Sequence, residues 1–370
     1  MAGRDATSHG MLLTPEAVFG KARGMVFPRI VLVGHGVLED LAVTCRTFGF
    51  ADLCAVITGP RTAELAGNRA TEILRSDGFQ ATTVIAREAT ESEVGRVESE
   101  VRSAGARFVV GVGGGSKIDI AKLVAARLRI PFVSLPTSAA HDGISSPRAS
   151  LHGPQRQTSI EGAVPIGVIA DTQLIVQAPF RLLASGCADV ISNVTAVLDW
   201  RLAVRLRGEE YSSTAATLSE YAAQEIMERA ESIKPNLEES VWIAIRPILV
   251  AGIAMSVAGS SRPCSGSEHL FSHALDRISE RPSLHGEQCG VGAIMMMYLH
   301  GGDWRRVKNA LLAIGAPTTA RELGVSSDEV VRALMMAHTI RPERYTILGD
   351  SGLTREAAER LATMTGVTGS

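Results

Sequence analysis

The fold class can be inferred from one segment of the chain, RFVVGVGGGSKIDIAK (107–122). Its first half is an apolar run rich in valine, which predicts a buried strand, and its second half has the pattern of a helix. The three glycines between them, Gly113 to Gly115, let the backbone approach a ligand closely, and the free N–H groups of the helix start favour an anion. A pyrophosphate is the expected ligand. A tight turn without a ligand is the alternative, because the segment matches neither GxGxxG nor the P-loop pattern.

Five further apolar runs in the first half of the chain also predict buried strands. They are RIVLVG (29–34), LCAVITG (53–59), ATTVIA (81–86), IPFVSLP (130–136) and IGVIAD (166–171). Helix-like segments at 62–77, 91–104 and 117–128 lie between these runs. Such alternation predicts a mostly parallel sheet covered by helices. The polar, turn-rich residues 146–165 interrupt the rhythm and indicate a hairpin or a loop at the domain edge.

The second half of the chain has no strand signal after about residue 175. Helices are expected at 180–206, 213–233, 239–258, 266–279, 287–300, 304–314, 327–338 and 354–365. Ser326 with Glu329 predicts a capping box, and Thr354 is a typical helix start. We therefore expect two domains, an α/β dinucleotide-binding domain over 1–175 and an all-helical metal- and substrate-binding domain over 176–370.

Composition excludes several classes of protein. The net charge of −2 over 370 residues gives no basic excess for nucleic acid or an acidic membrane. The five cysteines are scattered and include no CxxC pair, which favours reduced thiols in a cytoplasm. The N-terminal MAGRDATSHGMLL lacks the apolar core of a signal peptide. The apolar run 242–259 contains Arg246 and Pro247 and is better explained as a buried helix than as a membrane span.

Acids and histidines of the helical half are candidates for a metal site. His269 and His273 have the i, i+4 spacing that places both imidazoles on one helix face. His285 follows in LHGEQCG (284–290), next to a glycine at an expected helix start, and Asp189 lies in SGCADVISN (185–193). Two histidines and a carboxylate suffice for a catalytic divalent metal with an open position. Structural histidines and a solvated or capping aspartate are the alternative.

Two loops are candidates for ligand binding. TSAAHDGISSPR (137–148) follows a strand and is dense in small hydroxylated residues, so it can donate several hydrogen bonds to a nucleotide or polyol. The turn TGPR (58–61) has no acidic residue that could bind the ribose 2′-hydroxyl of NAD, whereas Arg61 could bind the 2′-phosphate of NADP.

Taken together, these motifs resemble the sn-glycerol-1-phosphate dehydrogenase family. This family belongs to the superfamily of iron-containing alcohol dehydrogenases, glycerol dehydrogenase and dehydroquinate synthase. The resemblance covers essentially the whole chain. It is carried by GGGSKIDIAK, LPTSAAHDGISSPRASL, GCADVISN, GSEHLFSHALD, LHGEQCG and IRPERYTILG (340–349).

The resemblance implies a role for individual residues. Asp189, His269 and His285 would ligate one divalent metal, usually zinc. Asp142 and His273 would lie beside the substrate as candidate catalytic residues, and Asp189 could also contact the substrate. The expected cofactor-binding residues, for NAD(H) or NADP(H), are Gly115, Ser116, Lys117, Ile118, Asp119, Thr137, Ser138, Ala139, Ala140 and Ser146.

The implied reaction is NAD(P)H-dependent reduction of dihydroxyacetone phosphate to sn-glycerol-1-phosphate, for the backbone of archaeal-type ether lipids. The family implies a soluble, cytoplasmic homo-oligomer without nucleic-acid partners. A glycerol or polyol dehydrogenase and a cyclase of the dehydroquinate synthase type are the alternatives. The motifs contain only Lys117 and Lys122 as lysines, which disfavours the cyclase. A metal- and nucleotide-binding protein without catalysis is a third alternative. The presence of all three expected metal ligands, Asp189, His269 and His285, disfavours it. Arg148, Arg341 and Arg344 are candidates for the substrate phosphate.

Overall fold

The computed structural model describes residues 24–153 and 157–369. The prediction about the N-terminal MAGRDATSHGMLL lies outside these residues. Eight strands are described: Ile30–Gly34 (β1), Leu53–Thr58 (β2), Gln80–Ile85 (β3), Phe108–Gly113 (β4), Phe132–Pro136 (β5), Arg148–His152 (β6), Gln157–Glu161 (β7) and Gly167–Asp171 (β8). The six predicted strands form one sheet in the order β1-β8-β5-β4-β2-β3, and every pairing in it is parallel. The predicted fold class is confirmed for this half.

Helices cover both faces of the sheet. The first two are Leu41–Thr47 (α1) and a helix (α2) that consists of Pro60–Thr62, a π-helical turn at Ala63–Gly67 and Asn68–Ser76. The others are Glu91–Ser103 (α3), Gly115–Leu128 (α4) and Thr172–Ile175 (α5). Successive residues of a strand point to opposite faces, so Cys54 and Val56 of β2 pack against α1 and α2. Ala55 and Ile57 pack against α3 and α4 on the other face. A strand buried on both faces explains the continuous apolar runs.

The polar interruption contains a two-stranded hairpin. β6 and β7 pair antiparallel with Arg148 opposite Glu161. The carboxylate of Asp119 in α4 accepts a hydrogen bond from the backbone N–H of Ser150 at 3.0 Å, which ties the hairpin to the glycine-rich helix.

The second half is helical, as predicted. Its helices are Phe180–Arg207 (α6), Ser213–Glu228 (α7), Glu238–Ala258 (α8), Ser267–Ile278 (α9), His285–Leu299 (α10), Trp304–Ala313 (α11), Ala320–Leu323 (α12), Ser327–Met336 (α13) and Arg355–Met364 (α14). No strand lies between 180 and 369, all of which the structure describes. Ser326 and Glu329 form the predicted capping box, and the hydroxyl of Thr354 caps α14 by accepting from Ala357 N–H at 3.2 Å.

Two helices, α6 and α8, are long and apolar enough to cross a membrane by length and composition. Their most apolar windows are 89% and 67% buried inside the protein. Both are therefore core helices of the fold, in agreement with the interpretation of the run 242–259 from its sequence.

The backbone of α6 touches two neighbouring segments. A Cβ added at Gly186 would collide with the carbonyl oxygen of Ala139, in the loop after β5. A Cβ added at Gly286, in the first turn of α10, would collide with the carbonyl oxygen of Ser185. Glycine permits both close approaches. One turn of α6 is thereby held between the sheet half and α10, next to Asp189.

Candidate active site

A cleft of about 300 Å³ lies between the two halves, at the carboxyl ends of the sheet strands. Open parallel sheets bind their ligands at this edge. Ten of the predicted site residues border the cleft: Gly115, Ser116, Asp119, Ala140, Asp142, Ser146, Asp189, His269, His273 and His285. The structure thus brings together residues that are up to 170 positions apart in the chain.

Asp189, His269 and His285 converge on one point of this cleft. Asp189 lies inside α6, His269 in the first turns of α9, and His285 is the first residue of α10. Oδ1 of Asp189 is 3.6 Å from Nε2 of His269 and 3.8 Å from Nε2 of His285. Ligands around a tetrahedral ion with bonds of about 2.0–2.3 Å are separated by roughly 3.3–3.8 Å. The three atoms therefore have the spacing of a metal site.

Hydrogen bonds on the far side of each imidazole orient it toward this point. Nδ1–H of His269 donates to the buried carboxylate of Glu268 at 2.9 Å. Nδ1–H of His285 donates to the hydroxyl of Ser272 at 3.1 Å, which in turn donates to Gln288 Oε1 at 2.8 Å. In both rings this tautomer leaves Nε2 free. Such bonds are typical of histidines that ligate metals.

The electrostatics of the cluster also fit a cation. Burial lowers the pKa of His269 and of His285, so both imidazoles are neutral, as metal ligands must be. Burial, and then the nearby Asp142, raise the pKa of Asp189. Oδ1 of Asp189 is buried and has no hydrogen-bond partner. A buried carboxylate oxygen is costly without a partner, and a divalent ion at this point would supply one.

The buried thiol of Cys289, which the sequence reasoning did not single out, adjoins the cluster. One ligand atom each from Asp189, His269, His285 and Cys289 lie within 4.8 Å of one another. The sulfur is 3.6 Å from Nε2 and 3.9 Å from Nδ1 of His285, so it lies beside the imidazole ring and away from the Nε2 lone pair. The available signal was the i, i+4 spacing of His285 and Cys289, which places both on one face of α10.

The two candidate catalytic residues lie on opposite sides of the cluster. The backbone N–H of Asp142 donates to Oδ2 of Asp189 at 3.3 Å, and burial raises the pKa of the Asp142 carboxyl. His273, one turn after His269 in α9, stacks on the ring of His285 with a centroid distance of 5.7 Å. Its Nδ1 is buried without a hydrogen-bond partner and lies 3.9 Å from Oδ2 of Asp276.

Lys122 fastens the loop that carries Asp142. This lysine is fully buried, and its ammonium group donates to the carbonyl oxygens of Gly143, at 2.7 Å, and of Arg148. It also forms an ion pair with Asp119 at 3.3 Å. The last residue of the glycine-rich motif therefore holds the substrate-side loop in place, a function that the sequence did not reveal.

The remaining predicted cofactor residues surround the cleft without bordering it. Ile118 is buried in the core beneath α4, and Thr137, Ser138 and Ala139 are buried in the segment after β5. Lys117 donates to the hydroxyl of Ser116 at 2.8 Å and to the carbonyl of Arg87.

A second groove of about 860 Å³ meets the first at Ser116. Its walls come from the turn after β2, the turn after β3 and the start of α4, and they carry Arg61, Arg87 and Lys117. The two cavities share Ser116 as a lining residue, and the wall of the second also carries Glu88. This shape suits an extended dinucleotide.

Two of the three candidate phosphate-binding arginines border the cleft, namely Arg148 and Arg341. Burial, and then the charge of Arg148, lower the pKa of Arg341. Two cations that repel each other in a partly buried wall favour an anion between them. Arg344 instead donates to the carbonyl of Ser265 and, at 2.8 Å, to the hydroxyl of Ser261.

Comparison with known proteins agrees with this geometry. Residues 32–179 match the iron-containing alcohol dehydrogenase family. The chain is 54% identical, over 93% of its length and 99% of the relative's, to a glycerol-1-phosphate dehydrogenase (NAD(P)+) from Methanothermobacter thermautotrophicus. A protein of the same name from Pyrococcus furiosus is 50% identical, over 93% and 99% of the two chains. The structure of glycerol dehydrogenase from Schizosaccharomyces pombe superposes with a TM-score of 0.77 at 18% identity, covering 93% of this chain and 90% of that one.

The fold is that of glycerol dehydrogenase, and the relatives identify the chain as an oxidoreductase. Within this class, the relatives that share about half of all residues over nearly their full length settle the branch. The chain belongs to the glycerol-1-phosphate dehydrogenase family.

Proposed function

We propose that this enzyme reduces dihydroxyacetone phosphate to sn-glycerol-1-phosphate with NADH or NADPH. The observation that carries the proposal is that one cleft is bordered by three elements: the cluster of Asp189, His269 and His285, the start of α4, and Arg148 with Arg341. These are the parts needed for a ketone, a dinucleotide and a phosphate.

The two arginines distinguish this substrate from an unphosphorylated polyol. Guanidinium groups bind phosphate through paired, charge-assisted hydrogen bonds. A phosphate group would give both guanidinium groups an anionic partner, which an unphosphorylated polyol lacks. We therefore assign the substrate phosphate to Arg148 and Arg341, with the three-carbon chain extending toward Asp189.

In the reaction itself, Asp189, His269 and His285 would hold a divalent cation, with zinc as our proposal, that would supply Lewis-acid polarisation of the C2 carbonyl, and a bound nicotinamide would supply the hydride. Nδ1–H groups of both ligand imidazoles, fixed by Glu268 and Ser272, keep the ring nitrogens aimed at the site. Asp189 and Glu268 are buried, and a low local dielectric strengthens these electrostatic interactions.

A proton must reach the C2 oxygen to complete the alcohol. His273 and Asp142 border the cleft and are the candidate donors. The burial of Asp142 raises the pKa of its carboxyl, which favours a protonated form able to donate. His273 contributes a ring stacked on His285, and its Nδ1 lies 3.9 Å from Oδ2 of Asp276.

We further propose that the two halves of the chain, which meet at about residue 175, are domains with separate binding roles. Residues 1–175 would hold the cofactor, with the pyrophosphate at the start of α4 and the adenosine end in the groove of Arg61 and Lys117. Residues 176–370 would hold the metal and most of the substrate. A cytoplasmic homo-oligomer that serves ether-lipid synthesis is the biological setting we propose.

The test is oxidation of NADH and of NADPH with dihydroxyacetone phosphate, before and after chelation, followed by assignment of the product with a stereospecific enzyme. We expect turnover that chelation abolishes and added Zn²⁺ restores, and the sn-1 product. Turnover with glycerol instead, or release of inorganic phosphate from a sugar phosphate, would overturn the proposal in favour of a neighbouring branch.

A further inference from the structure

We propose that Ser261 donates a hydrogen bond to the substrate phosphate and that Arg344 positions its hydroxyl group. The inference rests on the proposed function, which assigns this phosphate to Arg148 and Arg341. It adds a neutral donor to the two cations of the cleft wall. It also gives a role to the third candidate arginine, whose hydrogen bonds go to protein groups.

The hydroxyl group of Ser261 belongs to the wall of the cleft and accepts a hydrogen bond there. Its oxygen accepts from Nη2 of Arg344 at 2.8 Å. A guanidinium group can only donate, so this contact leaves the hydroxyl proton of Ser261 unused. Within residues 24–153 and 157–369, no hydrogen bond uses this proton. The wall therefore carries a donor without an acceptor, and a hydroxyl that accepts from a cation is a strengthened donor.

The charge of Arg344 also favours an anion at this wall. Both of its hydrogen-bond partners are neutral, namely the hydroxyl of Ser261 and the carbonyl of Ser265, and it forms no ion pair within the part of the chain that the structure describes. Burial, and then the charges of Arg341 and Arg262, lower the pKa of Arg344 to about 9. A phosphate dianion bound between Arg341 and Ser261 would relieve this repulsion.

Contacts on either side of Arg344 fix its position. Nη1 of Arg262 donates to the carbonyl oxygen of Tyr345 at 3.0 Å. The backbone N–H of Ile347 donates to the buried carboxylate of Asp199 at 2.6 Å. The segment 341–349 is thus fastened to the turn that carries Ser261, and the guanidinium group of Arg344 meets the hydroxyl in one defined geometry.

The wall lies close to the metal cluster. Ser261, Arg341 and His269 border the same cleft of about 300 Å³. Burial contributes most to the lowered pKa of His269, and the charges of Arg344 and Arg341 act in the same direction, so both arginines are within electrostatic range of this imidazole. A small phosphorylated ketone whose carbonyl lies at the cluster would therefore have its phosphate at this wall.

The test compares kcat and KM for dihydroxyacetone phosphate and for dihydroxyacetone, from initial rates of NADH oxidation by the metal-loaded enzyme. Ser261→Ala should raise the KM for dihydroxyacetone phosphate roughly 10-fold, because one hydrogen bond to a charged group is lost. Its kcat, and both parameters for dihydroxyacetone, should change less than about threefold. Ser260→Ala, at the neighbouring serine outside the cleft wall, is the matched control and should behave as wild type.

Arg344→Lys tests the positioning role, since lysine keeps the charge and loses the fixed fork of donors. We expect a rise in the KM for dihydroxyacetone phosphate similar to that of Ser261→Ala. The double variant should show no further rise, because both changes remove the same contact. Thermal unfolding of each variant without substrate shows whether it folds, and Ser261→Ala decides the main point if Arg344→Lys does not.

An unchanged KM in Ser261→Ala, or equal losses with the two ketones, would overturn the role of Ser261 and leave the proposed function standing. Effects that multiply in the double variant would overturn the positioning role of Arg344. Absence of wild-type turnover with dihydroxyacetone phosphate would refute the proposed function itself, and with it this inference.

Discussion

Replacement of Arg341 by alanine should separate phosphate binding from ketone reduction. Arg341 borders the cleft, and burial and the neighbouring Arg148 lower its pKa, so its charge is poorly solvated before a ligand binds. A charge-assisted hydrogen bond to phosphate contributes about 1.5–3 kcal/mol. At about 1.4 kcal/mol per tenfold, kcat/KM for dihydroxyacetone phosphate should fall roughly 10- to 150-fold.

Dihydroxyacetone, the same ketone without a phosphate, is the discriminating substrate. Its kcat/KM should change less than about threefold, because the lost contact is one that it never made. Both values come from initial rates of NADH oxidation at fixed ionic strength, which keeps charge screening constant. Arg321→Ala, an exposed arginine of α12, is the matched control and should change neither value.

Equal losses for the two ketones would refute the assignment, since they would mean that Arg341 supports the architecture of the cleft and does not bind phosphate. Wild-type kcat/KM with dihydroxyacetone phosphate would refute it as well. The ratio of the two substrates, and not the absolute rate, is therefore the quantity to measure.

Three further perturbations test other parts of the site. Lys122→Met breaks a buried ion pair and should lower the free energy of unfolding by about 3–5 kcal/mol in urea titrations; an unchanged midpoint would contradict the loop-fastening role. Gly186→Ala forces a Cβ into a carbonyl oxygen and should cost about 1–3 kcal/mol, whereas Gly95→Ala, with open space around it in α3, should be neutral or stabilising by up to about 1 kcal/mol in thermal unfolding. Arg61→Ala should raise the KM for NADPH about 10-fold and leave that for NADH unchanged if this side chain meets the 2′-phosphate; equal effects on both cofactors would argue against that contact.

The sheet and most helices could be predicted because their signals are local. Apolar runs, four of which end in glycine or proline, marked all six strands of the main sheet. The pattern of Ser326 and Glu329 marked a helix start that the structure reproduces. Each of these features depends on residues within a few positions of one another. Strand order, by contrast, depends on how the crossovers pack, and no local pattern encodes it.

The candidate site was predictable only in part. His269, His273 and His285 stood out because three histidines cluster between positions 269 and 285. Cys289 was not singled out because the cysteines include no CxxC pair, although its i, i+4 spacing from His285 places both on one face of α10. The arginines could not be ranked, because Arg341 and Arg148 meet through the packing of distant segments, and Arg344 turned out to bind Ser261 and Ser265.

The contact of Gly186 with Ala139 constrains how the two halves can move. Here the main chain of α6 lies directly against the main chain of the loop after β5, with no side chain between them that could change rotamer. Sliding of the halves past each other would drive the carbonyl oxygen of Ala139 into the α-carbon of Gly186, so rotation about this contact is the less costly motion. Such a rotation would move the nearby Asp189 little and the distant cleft rim much more. Admission of a dinucleotide would then leave the cluster of Asp189, His269 and His285 almost undisturbed.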